Sequence, residues 1–443
     1  MELLLLIILV LVCVYVSLAT VYRPWIGVWI LFLGAAFYPL LNRILPMPKF
    51  GASGFVFIDF VVLSVLVGLI VKKENILNLH EVPKYLYWLW LLFVPPFIIG
   101  LVRGHNIFTV FRDARVLIYY GIIFPLYTLF ITDKMKLQRF LRYVMFFSVA
   151  ALIVYYVMAA FDIRFHIESG ALDFEGIAHY TWWGLSSWFV LYLLSALYLI
   201  PRLITKQENH TDLFVVVCFM LIITLITLLI RSLFIGLIIS ILYLILVLSI
   251  YLKERKILFI ASFIVVIFIF ILVNLSYNQI TRSPILSRYG SLISPVLKYS
   301  AAEASTKIRI DALLLFKQNE GIFRIIGSGY GDENLAYDYL RDYHTIRLMN
   351  HSSPGWLFFR FGFVGGFFFL ICLLIPLVKS IKMHTDIETI TSDISLRAFI
   401  IGMIMMSFGA NVFFFQKYDL IYILYAIAAL CAIQREPKSV END

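Results

Sequence analysis

Charge is scarce in this chain. Asp, Glu, Lys and Arg make up 14% of its 443 residues, where a typical soluble domain carries about a quarter. That scarcity excludes an ordinary soluble domain, because a hydrophobic share of 62% would leave large apolar patches around any single core. Cysteine is equally thin: Cys13, Cys218, Cys372 and Cys431 lie far apart inside apolar runs. None has metal-ligand spacing, and no disulfide framework follows. No cofactor motif, internal repeat or low-complexity tract is evident. The net charge of +9 calls for no nucleic-acid partner, since basic cytoplasmic loops account for it in a membrane protein. The first apolar stretch, Leu3 to Thr20, lacks a basic start and a small-residue cleavage site, so it reads as a retained span.

What is present is a succession of apolar runs, each close to the roughly 20 residues a bilayer span needs. They fall near 3–20, 25–41, 55–71, 85–101, 114–131, 139–160, 180–200, 213–230, 233–251, 257–274, 355–378, 397–412 and 418–433. The stretch 213–251 is too long for one helix and divides at Arg231-Ser232, the polar pair near its middle. The expected fold is an all-α polytopic membrane protein of about 12–14 transmembrane helices with one long outer loop containing short helices. Residues 1–274 make the main bundle of about ten spans, 275–354 the outer loop or cap, 355–433 the C-terminal spans, and 434–443 a cytoplasmic tail.

Orientation follows from the basic loops. Lys72-Lys73, Lys134/Lys136/Arg139, Arg202/Lys206, Lys253 to Lys256 and Lys379/Lys382 fall on alternate loops, so one assignment puts them all in the cytoplasm. The loops 42–54, 102–113, 161–179 and 275–354, with the Arg231 turn, then face outward. Nine basic side chains against seven acidic ones leave the long loop at only +2. Within it, 305–320 reads as a helix, with Ser305 or Thr306 as N-cap and Gly321 as its stop. A glycine-rich turn, Gly327-Ser328-Gly329-Tyr330-Gly331, follows. It is a weak phosphate signal, because no strand precedes it and no clear helix follows.

Two kinds of chemistry gather on this outer face. Arginines stand at a span boundary (Arg231), in the long loop (Arg288, Arg309) and at the start of another span (Arg112, Arg115). Their planar forks suit phosphate oxygens and stay charged. His351, beside Asn350 where the long loop returns to the membrane, is the side chain best suited to act as a base near neutral pH. Together they suit transfer from a lipid pyrophosphate, with arginines holding the diphosphate and the histidine taking a proton from a sugar hydroxyl. The outer loops carry no Asp-x-Asp pair; Asp386-Ile387-Glu388 belongs to a cytoplasmic loop. Each residue alone has a plainer reading. Arg231 suits an interfacial anchor, the loop arginines suit solvated pairs, and Arg112 or Arg115 suits an anchor as well as a lipid phosphate. Asp59, inside the third span, is costly in lipid and reads as a buried hydrogen-bonding group near the outer surface.

In their order and spacing these features resemble the O-antigen polymerase and ligase family of bacterial envelope glycosyltransferases. Three stretches carry the resemblance: Arg231-Ser232-Leu233-Phe234-Ile235-Gly236; Arg288 and Arg309 leading to Ile326-Gly327-Ser328-Gly329-Tyr330-Gly331; and His351-Ser352-Ser353-Pro354-Gly355-Trp356-Leu357 with Phe361-Gly362-Phe363-Val364-Gly365-Gly366. They cover the second half of the chain. An Asn commonly follows the family's histidine, and here Ser352 stands there. The resemblance implies a metal-independent, inverting, GT-C-like transferase with a periplasmic loop, seated in the bacterial inner membrane. The donor would be an undecaprenyl-pyrophosphate-linked glycan and the acceptor another lipid-borne glycan or lipid A core. A polysaccharide chain-length regulator is a further partner to test for. His351, Arg288 and Arg309 would be catalytic; Arg231, Arg112, Arg115 and Asn350 would bind substrate. The competing class is a transporter or flippase of lipid-linked oligosaccharide. Its expected midplane charges and related halves are not apparent here.

Overall fold

The structure, a computed structural model, describes residues 2–44, 57–71, 81–160, 186–205, 231–252, 313–331, 336–337, 346–347, 352–379, 387–408, 413–414 and 417–435. These residues are almost entirely helical. In chain order the helices are α1 (Glu2–Tyr22), α2 (Pro24–Ile44), α3 (Phe57–Val71), α4 (Lys84–Leu91) and α5 (Val94–Val102). Next come α6 (Ile107–Ala114), α7 (Val116–Gly121), α8 (Ile123–Thr132), α9 (Lys134–Ala160), α10 (Ser186–Ile204) and α11 (Arg231–Leu252). A single turn, α12 (Phe323–Ile326), precedes α13 (Ser353–Val378), α14 (Ile387–Met406) and α15 (Lys417–Ile433). One two-residue antiparallel pairing joins Ala336 to Arg347 and Tyr337 to Ile346.

Four stretches, Lys84–Val102, Ile107–Thr132, Ser353–Val378 and Ile387–Met406, are long and apolar enough to cross a membrane. Shorter apolar helices accompany them in α1, α2, α3, α10, α11 and α15. The expected spans near 213–230 and 257–274 lie outside the described residues. The Lys84–Val102 stretch is jointed at Leu92-Phe93. Pro95 and Pro96 immediately follow, and neither supplies an amide to continue the ladder. Residues 107–114 add two turns ahead of the expected span at 114, so Arg112 and Asp113 belong to a helix rather than a loop.

The helices pack closely where side chains are small. Gly236 of α11 meets Gly402 of α14 so tightly that a Cβ at Gly236 would stand 2.6 Å from the Gly402 carbonyl oxygen. Ser240 fills the next turn of the same crossing. Because α11 starts where α14 ends, Arg231 heads its helix at the end of the bundle where Met406 and Ser407 lie. Elsewhere the core is aromatic. Trp29, Phe32, Phe130, Phe140 and Tyr425 interlock in one cluster. Phe93, Trp356, Phe361, Phe369 and Phe414 form a second cluster nearer the Ser407 end.

The opposite end is tied by charge. Arg202 reaches Glu388 at 2.8 Å, with Arg142 at 3.7 Å. Buried Arg397 pairs with Asp393 at 3.1 Å and donates to the Leu377 and Lys379 carbonyls. Arg435 pairs with Glu81 at 2.8 Å, and Lys134 donates to the Arg435 carbonyl. The loops that begin or end at Lys134, Arg202, Lys379 and Arg435 therefore share one end, as the alternation of basic loops requires. The Asp386–Glu388 triplet joins them through Glu388.

Candidate functional site

At the other end, α6, the junction of α5 with its following turn, the 313–331 segment and the head of α13 converge. The chain reaches this point by capping. The Asn106 side chain accepts from the Phe108 amide to start α6. The Ser352 hydroxyl accepts from the Gly355 amide at 3.1 Å to start α13, with Pro354 in its first turn, an arrangement suited to helix N-termini. Ser353 is held twice more: its amide donates to the Ser407 carbonyl at 2.9 Å, and its hydroxyl accepts from the Phe413 amide at 3.2 Å. Ser353, two residues after His351 in sequence, is thus anchored to the turn that follows α14.

Between these anchors lies a buried ion pair. Arg360 of α13 places Nη2 3.0 Å from Asp113 Oδ2 of α6, their side chains 0% and 4% exposed. Arg360 Nη1 donates to the Gly329 carbonyl at 2.7 Å, and Asp113 Oδ2 accepts from the Gly331 amide at 3.1 Å. Two helices thereby grip opposite faces of the glycine-rich turn. The contact also breaks α13: Gly362 adopts φ 66°, ψ −175°, a backbone that only glycine takes without strain. Gly327 has φ 90° and abuts the Arg360 carbonyl, where a Cβ would overlap it. The glycines are there so that two backbones can touch.

The turn's backbone amides are all engaged, while its buried Tyr330 hydroxyl has no hydrogen-bond partner among the described residues. Its amides from 327 to 331 donate in order to the carbonyls of Phe323, Phe359, Arg360 and Pro96 and to Asp113. Its carbonyls from 328 to 331 accept in order from Arg103, His105 and Thr109 as well as Arg360, with Arg360 serving Gly329. Because a carbonyl only accepts, His105 carries its hydrogen on Nδ1, 2.6 Å from the Tyr330 oxygen. No amide of this turn is left to cradle a phosphate. Its function in the fold is to lock the loop to the helices.

A second polar group sits beside it. Asp59 of α3, 2% exposed, accepts from the Tyr119 hydroxyl at 2.7 Å and pairs with Arg115 at 3.4 Å. That is the buried hydrogen-bonding role expected of Asp59. Arg112 lies 3.5 Å from Asp113. Arg112 of α6 and Arg115, the residue that caps it, therefore both contact carboxylates of this chain, at the same end as Arg231 and Ser352. Of the other expected site residues, Arg288, Arg309, Asn350 and His351 lie outside the described residues. The 305–320 helix is described from 313 on, and there it differs: Leu315–Gln318 is a 3₁₀ turn and Asn319 is extended. Asn319 leaves helical geometry to donate its side-chain amide to the Phe359 carbonyl at 2.8 Å. Among the described residues no three His, Cys, Asp or Glu side chains group to hold a metal.

Sequence reasoning passed over Arg360 and His105. Arg360 had a signal, since a lone arginine inside an apolar run is expensive in a membrane and seldom idle. Asp113 was visible only as one charge in Arg112-Asp113-Ala114-Arg115. No family model matches the chain, and no curated protein matches it.

Proposed function

We propose that this protein is a membrane glycosyltransferase that takes a glycan from an undecaprenyl-pyrophosphate carrier and assembles O-antigen or a related surface polysaccharide. In this reading the chain spans the bacterial inner membrane about 12–14 times, with the Ser352 end facing the periplasm. Arg231, Arg288 and Arg309 hold the diphosphate and neutralise charge as it leaves. Arg112, Arg115 and Asn350 line the approach. His351 takes the proton of the acceptor hydroxyl, which belongs to a second carrier-linked glycan in a polymerase and to lipid A core in a ligase. Bonds balance without a further reactant: the acceptor oxygen bonds to the anomeric carbon, the carbon–oxygen bond to the pyrophosphate breaks, and inversion follows from a single displacement.

One observation carries the reading. The helix headed by Arg231 and the helix whose cap follows His351 start at the same end, with Ser353 bonded to Ser407 and Gly236 against Gly402. Gly236 and Ser353, five residues after Arg231 and two after His351, are thereby brought to one end across more than a hundred residues of sequence. The buried charges at that end, Arg115 with Asp59 and Arg360 with Asp113, are paired within the chain, an arrangement that favours a packing role over a polar translocation path.

The test is the surface glycan of a deletion strain complemented with wild type, His351→Ala or Arg288→Ala, resolved on a gel. Loss of one such charged contact is expected to slow transfer on the order of 10²–10³-fold. A single repeat unit left on lipid A marks a polymerase, and long chains stranded on the carrier mark a ligase. An unchanged ladder in the deletion removes the proposal. A folded His351→Ala protein with full activity removes the base.

A further inference from the structure

We infer that the end of the 313–331 segment, residues 325–331, is re-entrant and seated below the membrane surface, with Ile325 and Ile326 facing the hydrocarbon of the surrounding lipid. The placement starts from where the turn makes its bonds. The Tyr330 amide bonds the carbonyl of Pro96, about 9 Å of helix back from the end of α5 at Val102. The Ser328 and Gly329 amides bond Phe359 and Arg360, about 10 Å of helix in from the start of α13 at Ser353. Both partners are apolar stretches long enough to span a bilayer. From Gly327 to Gly329 the turn therefore lies below the helix ends that mark the surface, and by Gly331 it has risen to His105, past the end of α5.

Irregular backbone survives at that depth only where protein satisfies its polar groups. This turn meets the requirement, with each amide from 327 to 331 and each carbonyl from 328 to 331 bonded within the chain. A loop bathed in water has no need of that completeness. Satisfying it consumes two buried charges, Arg360 and Asp113, and a histidine.

The outward side of the segment is mixed: Lys317, Gln318, Glu320 and Arg324 are exposed and belong at the level of the headgroups, and beyond them the exposed side chains are apolar. Ile325 and Ile326 are 52% and 39% exposed. Their surface continues onto α13, where Phe316 of the segment packs on Phe363, and Val364 and Phe367 are 65% and 56% exposed. On a helix that crosses a bilayer those exposed side chains meet lipid, so the isoleucines that extend the same surface meet it too. Arg103, just past the last turn of α5, directs its guanidinium back over Phe323 at 4.4 Å and onto the Ser328 carbonyl. The placement is independent of the reaction proposed above.

The experiment places a nitroxide at Ile325→Cys in the full chain, with its native cysteines replaced by serine or alanine, in lipid nanodiscs. Collision with oxygen is compared with collision with a water-soluble nickel chelate. Val364→Cys serves as the lipid-facing reference and Lys136→Cys as the aqueous one. An oxygen-to-nickel ratio matching Val364 is the expected result. A ratio matching Lys136 overturns the inference, and so does shielding from both reagents, which would mean that protein covers the face. Hydrogen exchange on the unsubstituted protein in nanodiscs keeps the question open to refutation if the labelled variant misfolds. Amides 327–331 are expected to exchange as slowly as those of α13, and exchange within seconds would overturn the placement.

Discussion

Asp113→Asn isolates one charge at the centre of the loop–helix lock. Asparagine keeps the size of the side chain and a carbonyl oxygen for the Gly331 amide. It removes the negative partner of a guanidinium that is wholly buried. Stripping one member from a buried ion pair costs about 3–5 kcal/mol, because the remaining charge stays desolvated without compensation. Adding Arg360→Met removes that stranded charge and leaves chiefly the Gly329 carbonyl, now with only the long 3.3 Å bond from the Ser328 hydroxyl. An orphaned buried acceptor costs about 1–3 kcal/mol. The double variant should therefore be more stable than Asp113→Asn alone, by about 2 kcal/mol. Reversible unfolding in mixed detergent–SDS micelles measures this directly, with hydrogen exchange across 327–331 reporting on the turn itself. If Asp113→Asn costs less than about 1 kcal/mol, as exposed pairs do, or if the double variant loses the sum of the two singles, the lock does not work as described.

Three further outcomes follow from the same structure. Gly327→Ala places a Cβ against the Arg360 carbonyl at φ 90°, and both strain and overlap predict loss of folded protein from the membrane fraction, checked by fluorescence-detected size exclusion. Arg435→Ala removes a pair whose members are 22% and 24% exposed, so its cost should stay below about 1 kcal/mol and shrink further in high salt. Partial burial raises the affinity of the Asp133 carboxyl for its proton, but hydrogen bonds from the Lys136 side chain and amide outweigh that and hold it below the ordinary carboxylate range. A depressed native value means stability present at neutral pH and lost as pH falls through the acid range. Wild type and Asp133→Asn should therefore differ slightly at pH 7 and converge below about pH 3, read from thermal unfolding across pH.

Much of the helical order was legible from apolar length alone. The division at Arg231 coincides with the first residue of α11, because a polar pair in the middle of an apolar run belongs at a surface. The head of α13 was legible as Ser-Ser-Pro before an apolar run. The 305–320 helix was not legible in its second half, since the helical signal there is local, whereas Asn319 answers to a carbonyl forty residues away. The glycine turn was seen but its use was hidden. Local pattern suggested loose phosphate affinity, and only the contacts with Pro96, Phe359 and Asp113 show that its amides are committed elsewhere. The Asp393–Arg397 pair went unremarked for a related reason. It lies one helical turn apart, four residues, but the boundary placed at 397 cut it in two.

The break at Gly362 divides α13 into two mechanical parts. The upper part, from Ser353 to Phe361, is bolted through its ends to Ser407 and to the glycine turn. The lower part is tied at its far end, where Gln434 donates to the Pro376 carbonyl and Arg397 to the Leu377 carbonyl. Bilayers of different thickness tilt a span to match its apolar length. With both ends of α13 held, such a change is met by bending at Gly362, where the backbone already leaves helical geometry.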